Sequence, residues 1–128
     1  MRKRFFLSIL SLFSFAVYSS SQPSPIKITQ SNIKSKSRYI EKGRYDWKIY
    51  INADLAILKT ISYVEYTLHP TYPKPVNRRT NYRNKFLYQD NGWGEFYISV
   101  RIVYKNHSSA VFKHFLTLKD DKDFPLLN

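Results

Sequence analysis

The chain has 128 residues, with 21 Lys and Arg against 9 Asp and Glu, for a formal net charge of +12. That length holds one domain with a short appendage and is too small for two. The absence of cysteine excludes disulfides and a lipid anchor built on a cysteine, and the charge favours acidic partners such as anionic lipid, acidic glycan or nucleic acid over a basic peptide.

Residues 1–21 read as a secretory signal. Met1-Arg2-Lys3-Arg4 is a cationic start, and Phe5 to Tyr18 is an apolar run broken only by serines. At about 14 residues the run falls short of the roughly 20 a helix needs to cross a bilayer. Cleavage near Ser19-Ser20-Ser21-Gln22 would remove three cations and leave +9, that is 18 basic minus 9 acidic residues. The expected location is secreted or periplasmic. Residues 22–37 are polar, with Pro23, Pro25 and repeated Ser and Lys, and are expected to form a flexible linker to a domain over 38–128.

Beyond Arg38 the apolar residues recur with period two. Trp47 to Ile51 and Ile61 to Leu68 are rich in β-branched and aromatic side chains and read as strands, with Trp47 in the core. Asp54 to Thr60 is a connection whose pattern fits either a helical turn or a strand. Lys85 to Gln89 reads as a short strand. In Phe96 to Tyr104, Phe96, Ile98, Val100, Ile102 and Tyr104 alternate with Tyr97, Ser99 and Arg101, so one face is core and the other wet. Asn106-His107-Ser108-Ser109 is a turn into a strand where Phe112, His114, Leu116 and Leu118 oppose Val111, Lys113, Phe115 and Thr117. Asp120 to Asp123 reads as an acidic turn. The sum is an all-β, immunoglobulin-like antiparallel β-sandwich.

Two loops carry the chemistry. Leu68-His69-Pro70-Thr71-Tyr72-Pro73-Lys74-Pro75 has three prolines that fix φ, so it presents His69, Thr71 and Tyr72 pre-ordered. In Gly92-Trp93-Gly94-Glu95-Phe96, Gly92 and Gly94 flank a large indole and permit positive φ or close backbone approach. Between the loops, Arg78, Arg79 and Arg83 form a candidate anion-binding rim or else a solvated turn. No glycine-rich phosphate loop, paired-carboxylate motif or nucleophile constellation is visible, so neither enzymatic activity nor a cofactor is expected. The three histidines lack paired spacing, and no metal site is expected.

At these two loops, and at Asp46-Trp47 leading an early strand, the sequence resembles the YEATS family, with its small size and N-terminal signal most similar to the prokaryotic branch. The resemblance runs roughly from Arg38 to Leu118. It implies an immunoglobulin-like sandwich whose loop tips hold a flat acyl-amide between aromatic rings. Carried onto this sequence, Tyr72 and Trp93 would be those rings, Thr71 would hydrogen-bond the amide, and His69 would brace it. A third aromatic found in some members would fall near Gly43-Arg44-Tyr45, where only Tyr45 is aromatic.

The expected function is therefore an exported module recognising an acyl-lysine-like or other planar group, on an acyl-modified protein or another envelope ligand. Histone and nucleic acid are not expected partners. The alternatives are a basic domain that associates with anionic lipid or glycan surfaces without a pocket, and a structural domain that pairs an exposed sheet edge.

Overall fold

A computed structural model describes residues 27–124; the signal reading for 1–21, and Pro23 and Pro25 of the linker reading, lie outside the described residues. Among the described residues, seven strands form two antiparallel sheets: β1 (Ile33–Glu41), β2 (Arg44–Ile51), β3 (Ile61–Thr67), β4 (Val76–Arg79), β5 (Tyr88–Gly92), β6 (Phe96–Tyr104) and β7 (Ser109–Leu116). One sheet has the order β1-β2-β5 and the other β4-β3-β6-β7. Their inner faces meet in a core that includes Trp47, Ile49, Val64, Tyr66, Ile98 and Leu116. The two-residue alternation in β6 is borne out: Ile98, Val100, Ile102 and Tyr104 are buried while Tyr97 is exposed.

The linker expectation fails over its second half. Ile28 and Ile33 are core residues, a 3-10 turn spans Gln30–Asn32, and β1 begins at Ile33. This strand is polar because its inward serines have partners far along the chain. Ser35 Oγ lies 2.7 Å from His114 Nε2. Buried Ser37 donates to the Lys119 carbonyl at 2.5 Å and accepts from the Lys119 amide at 2.7 Å. Tertiary hydrogen bonds thus replace the apolar pattern that would have marked a strand.

The stretch after Leu116 crosses the sandwich and lies along the outer edge of β1. Asp121 caps the Ser37 amide through its carboxylate at 2.8 Å, while its own amide donates to the Ser37 carbonyl at 2.9 Å. Asp123 pairs with Lys36 at 3.0 Å. Phe124 lies under Lys48 Nζ and beside the Arg38 guanidinium, 4.6 and 4.9 Å from its ring centre. The segment read as an acidic turn is therefore an edge cover. Burial holds the Lys48 pKa below its ordinary value.

β5 starts at Tyr88, three residues later than the sequence suggests, because Lys85 and Phe86 adopt left-handed φ of 61° and 56°. Phe86 is fully buried there, and its carbonyl accepts from the Tyr66 hydroxyl at 2.8 Å. Asp54 to Thr60 resolves into a single helical turn, α1 (Leu55–Leu58). The β1–β2 hairpin turns on Lys42 and Gly43, both with positive φ, which matches the right-handed twist of the strands.

Candidate functional site

The β3–β4 and β5–β6 loops emerge at one end of the sandwich and enclose an open cleft of about 580 Å³ whose lining includes His69, Thr71, Tyr72, Gly92, Trp93 and Phe96. The β3–β4 loop is closed at its base by Leu68 N–H donating to the Pro75 carbonyl at 2.7 Å, and at its tip by Tyr72 N–H donating to His69 at 3.0 Å. The prolines and these two bonds hold Thr71 and Tyr72 in one conformation.

Tyr72 sits against an aromatic floor. Its ring lies 5.5 Å from Phe96 and 6.3 Å from Trp47, and its hydroxyl donates to the Asn91 carbonyl at 3.2 Å. Burial raises the hydroxyl pKa, which keeps it a donor. The hydroxyl passes so close to Gly92 that a Cβ there would lie 2.6 Å away. Close approach is thus the reason for this glycine. Gly94 lines the cleft but has neither a positive φ nor a neighbour within 4 Å of a built Cβ, so the expectation of a special backbone role does not hold there.

His69 Nδ1 accepts from the Thr71 amide at 3.3 Å and lies 2.9 Å from the Thr71 hydroxyl. Because the amide can only donate, Nδ1 is assigned as the unprotonated nitrogen, and the hydroxyl then donates to it as well. The Thr71 oxygen is left with lone pairs for an incoming N–H. His69 is thereby the brace and Thr71 the contact.

Trp93 is 75% exposed. The Arg44 guanidinium lies over its ring at 5.9 Å and is tied to the Asn91 side-chain oxygen. Among the described residues Trp93 pairs with no other aromatic ring, and Arg44 is the group recorded over its face. Phe96, the last residue of the Gly92 to Phe96 segment, forms the floor beneath Tyr72. Arg44 is not singled out by the sequence, because nothing local distinguishes it from other surface cations. Tyr45 packs against Tyr39 at 5.5 Å and does not line the cleft.

The arginine rim is not assembled. Arg78 and Arg79 are adjacent in β4 and so point to opposite faces. Arg78 stacks on Tyr63 at 3.8 Å and pairs with Glu65, Arg79 stacks on Tyr88 at 4.8 Å, and Arg83 covers Tyr82 at 4.9 Å. Each guanidinium is held by a different ring, and none lines the cleft.

The molecule is thus a two-sheet sandwich carrying an aromatic-floored cleft between ordered loops at one end. The chain belongs to the prokaryotic YEATS domain family, whose model matches residues 45–117. It is 35% identical over 71 residues to the protein AF-9 homolog of Candida glabrata, covering 54% of this chain and 31% of that one. The chain therefore spans about a third of the length of this relative. Among solved structures, the Yaf9 YEATS domain bound to H3K27ac superposes with a TM-score of 0.55 at 26% identity, covering 72% of each chain. The Yaf9 YEATS domain recognizing an H3K122suc peptide gives 0.54 at 28% identity, covering 67% of this chain and 68% of that one.

Proposed function

We propose that the chain is a binding module without chemistry of its own, taking an acylated lysine side chain of a partner protein into the cleft between the two loops. The observation that carries this reading is the Thr71 hydroxyl, which is committed as a donor to His69 and so accepts from the N–H of an acyl-lysine amide. Tyr72 and Trp93 flank the acyl group with aromatic faces. A planar amide gains about 0.5–1.5 kcal/mol from offset contact with such a face beyond its burial. Each buried methylene of the acyl chain adds about 0.8 kcal/mol. Increments this small make for weak binding, with a dissociation constant on the order of micromolar to millimolar expected.

The Yaf9 domain solved with H3K27ac supports the acyl-lysine part of this reading. We read the protein as exported, on the cationic start and apolar run of its N-terminus, with a ligand outside the cytoplasm. Cell fractionation and the N-terminal residue of the mature protein test that part.

The binding part is tested by calorimetric titration with a lysine peptide carrying an acetyl group, one carrying an unsaturated but-2-enoyl group, and the unmodified peptide. Saturable binding of either acylated peptide, lost with the unmodified lysine and reduced at least fivefold by Trp93→Ala, is expected. Equal binding of the unmodified peptide, or no binding of any, overturns the reading.

A further inference from the structure

The outward face of the β6–β7 pair carries large apolar side chains that the core does not use. The strand register sets Tyr97 opposite Phe115, Ser99 opposite Lys113 and Arg101 opposite Val111. Tyr97 is 62% exposed, Val111 59% and Phe115 43%. The Tyr97 and Phe115 rings meet edge to face with centres 4.9 Å apart. On the inward side the same strands already supply Ile98, Val100, Ile102 and Leu116 to the core. An exposed aromatic pair, with Val111 two register positions further along the same outer face and the Ser99–Lys113 pair between, marks a docking surface of mixed apolar and cationic character.

Charge selects the occupant. Arg101 donates to the Tyr63 hydroxyl at 3.2 Å, and the one acidic residue facing it across the ladder, Glu65, is paired with Arg78. Among the described residues neither Arg101 nor Lys113 has a carboxylate partner. A second copy docked face to face would set cation against cation. The stretches of this chain outside the described residues, 1–26 and 125–128, contain no Asp or Glu. An acidic segment from another protein satisfies both the apolar group and the two cations.

The same surface indicates the segment's conformation. β7 is the last strand of its sheet, and among the described residues its outer edge carries no strand and no backbone hydrogen bond. The outer edge of β1, in the other sheet, is covered by the chain after Leu116. An extended segment added at β7 continues the ladder, and its alternate side chains fall on the Tyr97, Val111 and Phe115 face. We propose that this face and edge dock an extended segment of a partner protein in which acidic residues alternate with apolar ones. This surface is separate from the acyl cleft, and the inference does not depend on that reading.

The test is fluorescence anisotropy of the full chain with three labelled probes: a ten-residue peptide alternating Glu with Val and Phe, its counterpart with Lys in place of Glu, and a ten-nucleotide oligothymidylate. The Glu peptide is expected to bind, with affinity that falls as salt rises, and the Lys peptide not to bind. Tyr97→Ser combined with Phe115→Ser should weaken the Glu peptide at least tenfold while leaving the acetyl-lysine titration unchanged. Lys113→Glu, a fully surface change, should weaken it severalfold and serves if the double variant does not fold. Equal binding of the Lys peptide, or Glu-peptide binding that neither variant weakens, overturns the proposal. So does tighter binding of the oligothymidylate that displaces the Glu peptide, which would make the face a nucleic-acid platform.

Discussion

A methyl group added at Gly92 would lie 2.6 Å from the Tyr72 hydroxyl oxygen, whereas one at Gly94 would meet nothing within 4 Å. The two glycines, equivalent in the sequence, therefore have different tolerances. Gly92→Ala must push the Tyr72 ring off its bond to Asn91, at a cost of about 1–3 kcal/mol, and should weaken acyl-lysine binding at least fivefold. Gly94→Ala should leave both thermal stability and the titration unchanged. Thr71 offers a second contrast. Thr71→Val removes the hydroxyl while keeping the shape, and should lower affinity by about 1 kcal/mol, roughly fivefold. Thr71→Ser should restore it, and the same calorimetric titration checks both. The residue types at this end of the fold were legible because prolines, glycines and a lone indole leave a local signature. The arginines were not, since nothing in Arg78-Arg79 and Arg83 says which ring each will stack upon.

β1 and β5 show where strand patterning stops being local. β2, β3 and β6 announce themselves because their inward positions are apolar, Trp47, Ile49 and Ile51 in β2 for instance. β1 places Ser35 and Ser37 inward instead, and their partners lie some eighty residues further on. A polar stretch then reads as linker although it is half of a hairpin. At β5 the misjudged start has another cause: two consecutive left-handed residues, Lys85 and Phe86, hold a fully buried phenyl ring in a turn. Composition cannot reveal this, as neither residue favours positive φ. The dependence of β1 on its distant partners is testable. Ser37→Val removes the hydroxyl that bonds both the carbonyl and the amide of Lys119, and should cost about 1–3 kcal/mol by urea denaturation. It should also speed tryptic cleavage at Lys119 and Lys122, since the covering segment would be released.

For the molecule as a whole, pH acts through the seam between the two sheets. His114 in β7 meets Ser35 of β1 there, and burial, aided by nearby Lys34, lowers its pKa below the ordinary 6.5. The unfolded chain then takes up a proton near pH 6.5 that the folded chain refuses. Stability should fall as pH drops through that value and level off once the folded pKa has been passed. Asp123, held below its ordinary 3.8 by Lys36, acts only at more acid pH and does not obscure this window. Urea midpoints at pH 7.5 and 5 should therefore differ in the parent chain and converge in His114→Gln. The overall architecture was legible from length and period-two runs, and the seam was not, because it joins residues 79 apart. The clasp of Ser37 by Asp121 has a further consequence during synthesis. The two residues are separated by 84 positions, so at ordinary translation rates β1 waits about 4–17 s for its cover to emerge. Until then its edge stays open to neighbouring nascent chains, and a product ending at Leu116 would keep that sticky edge permanently.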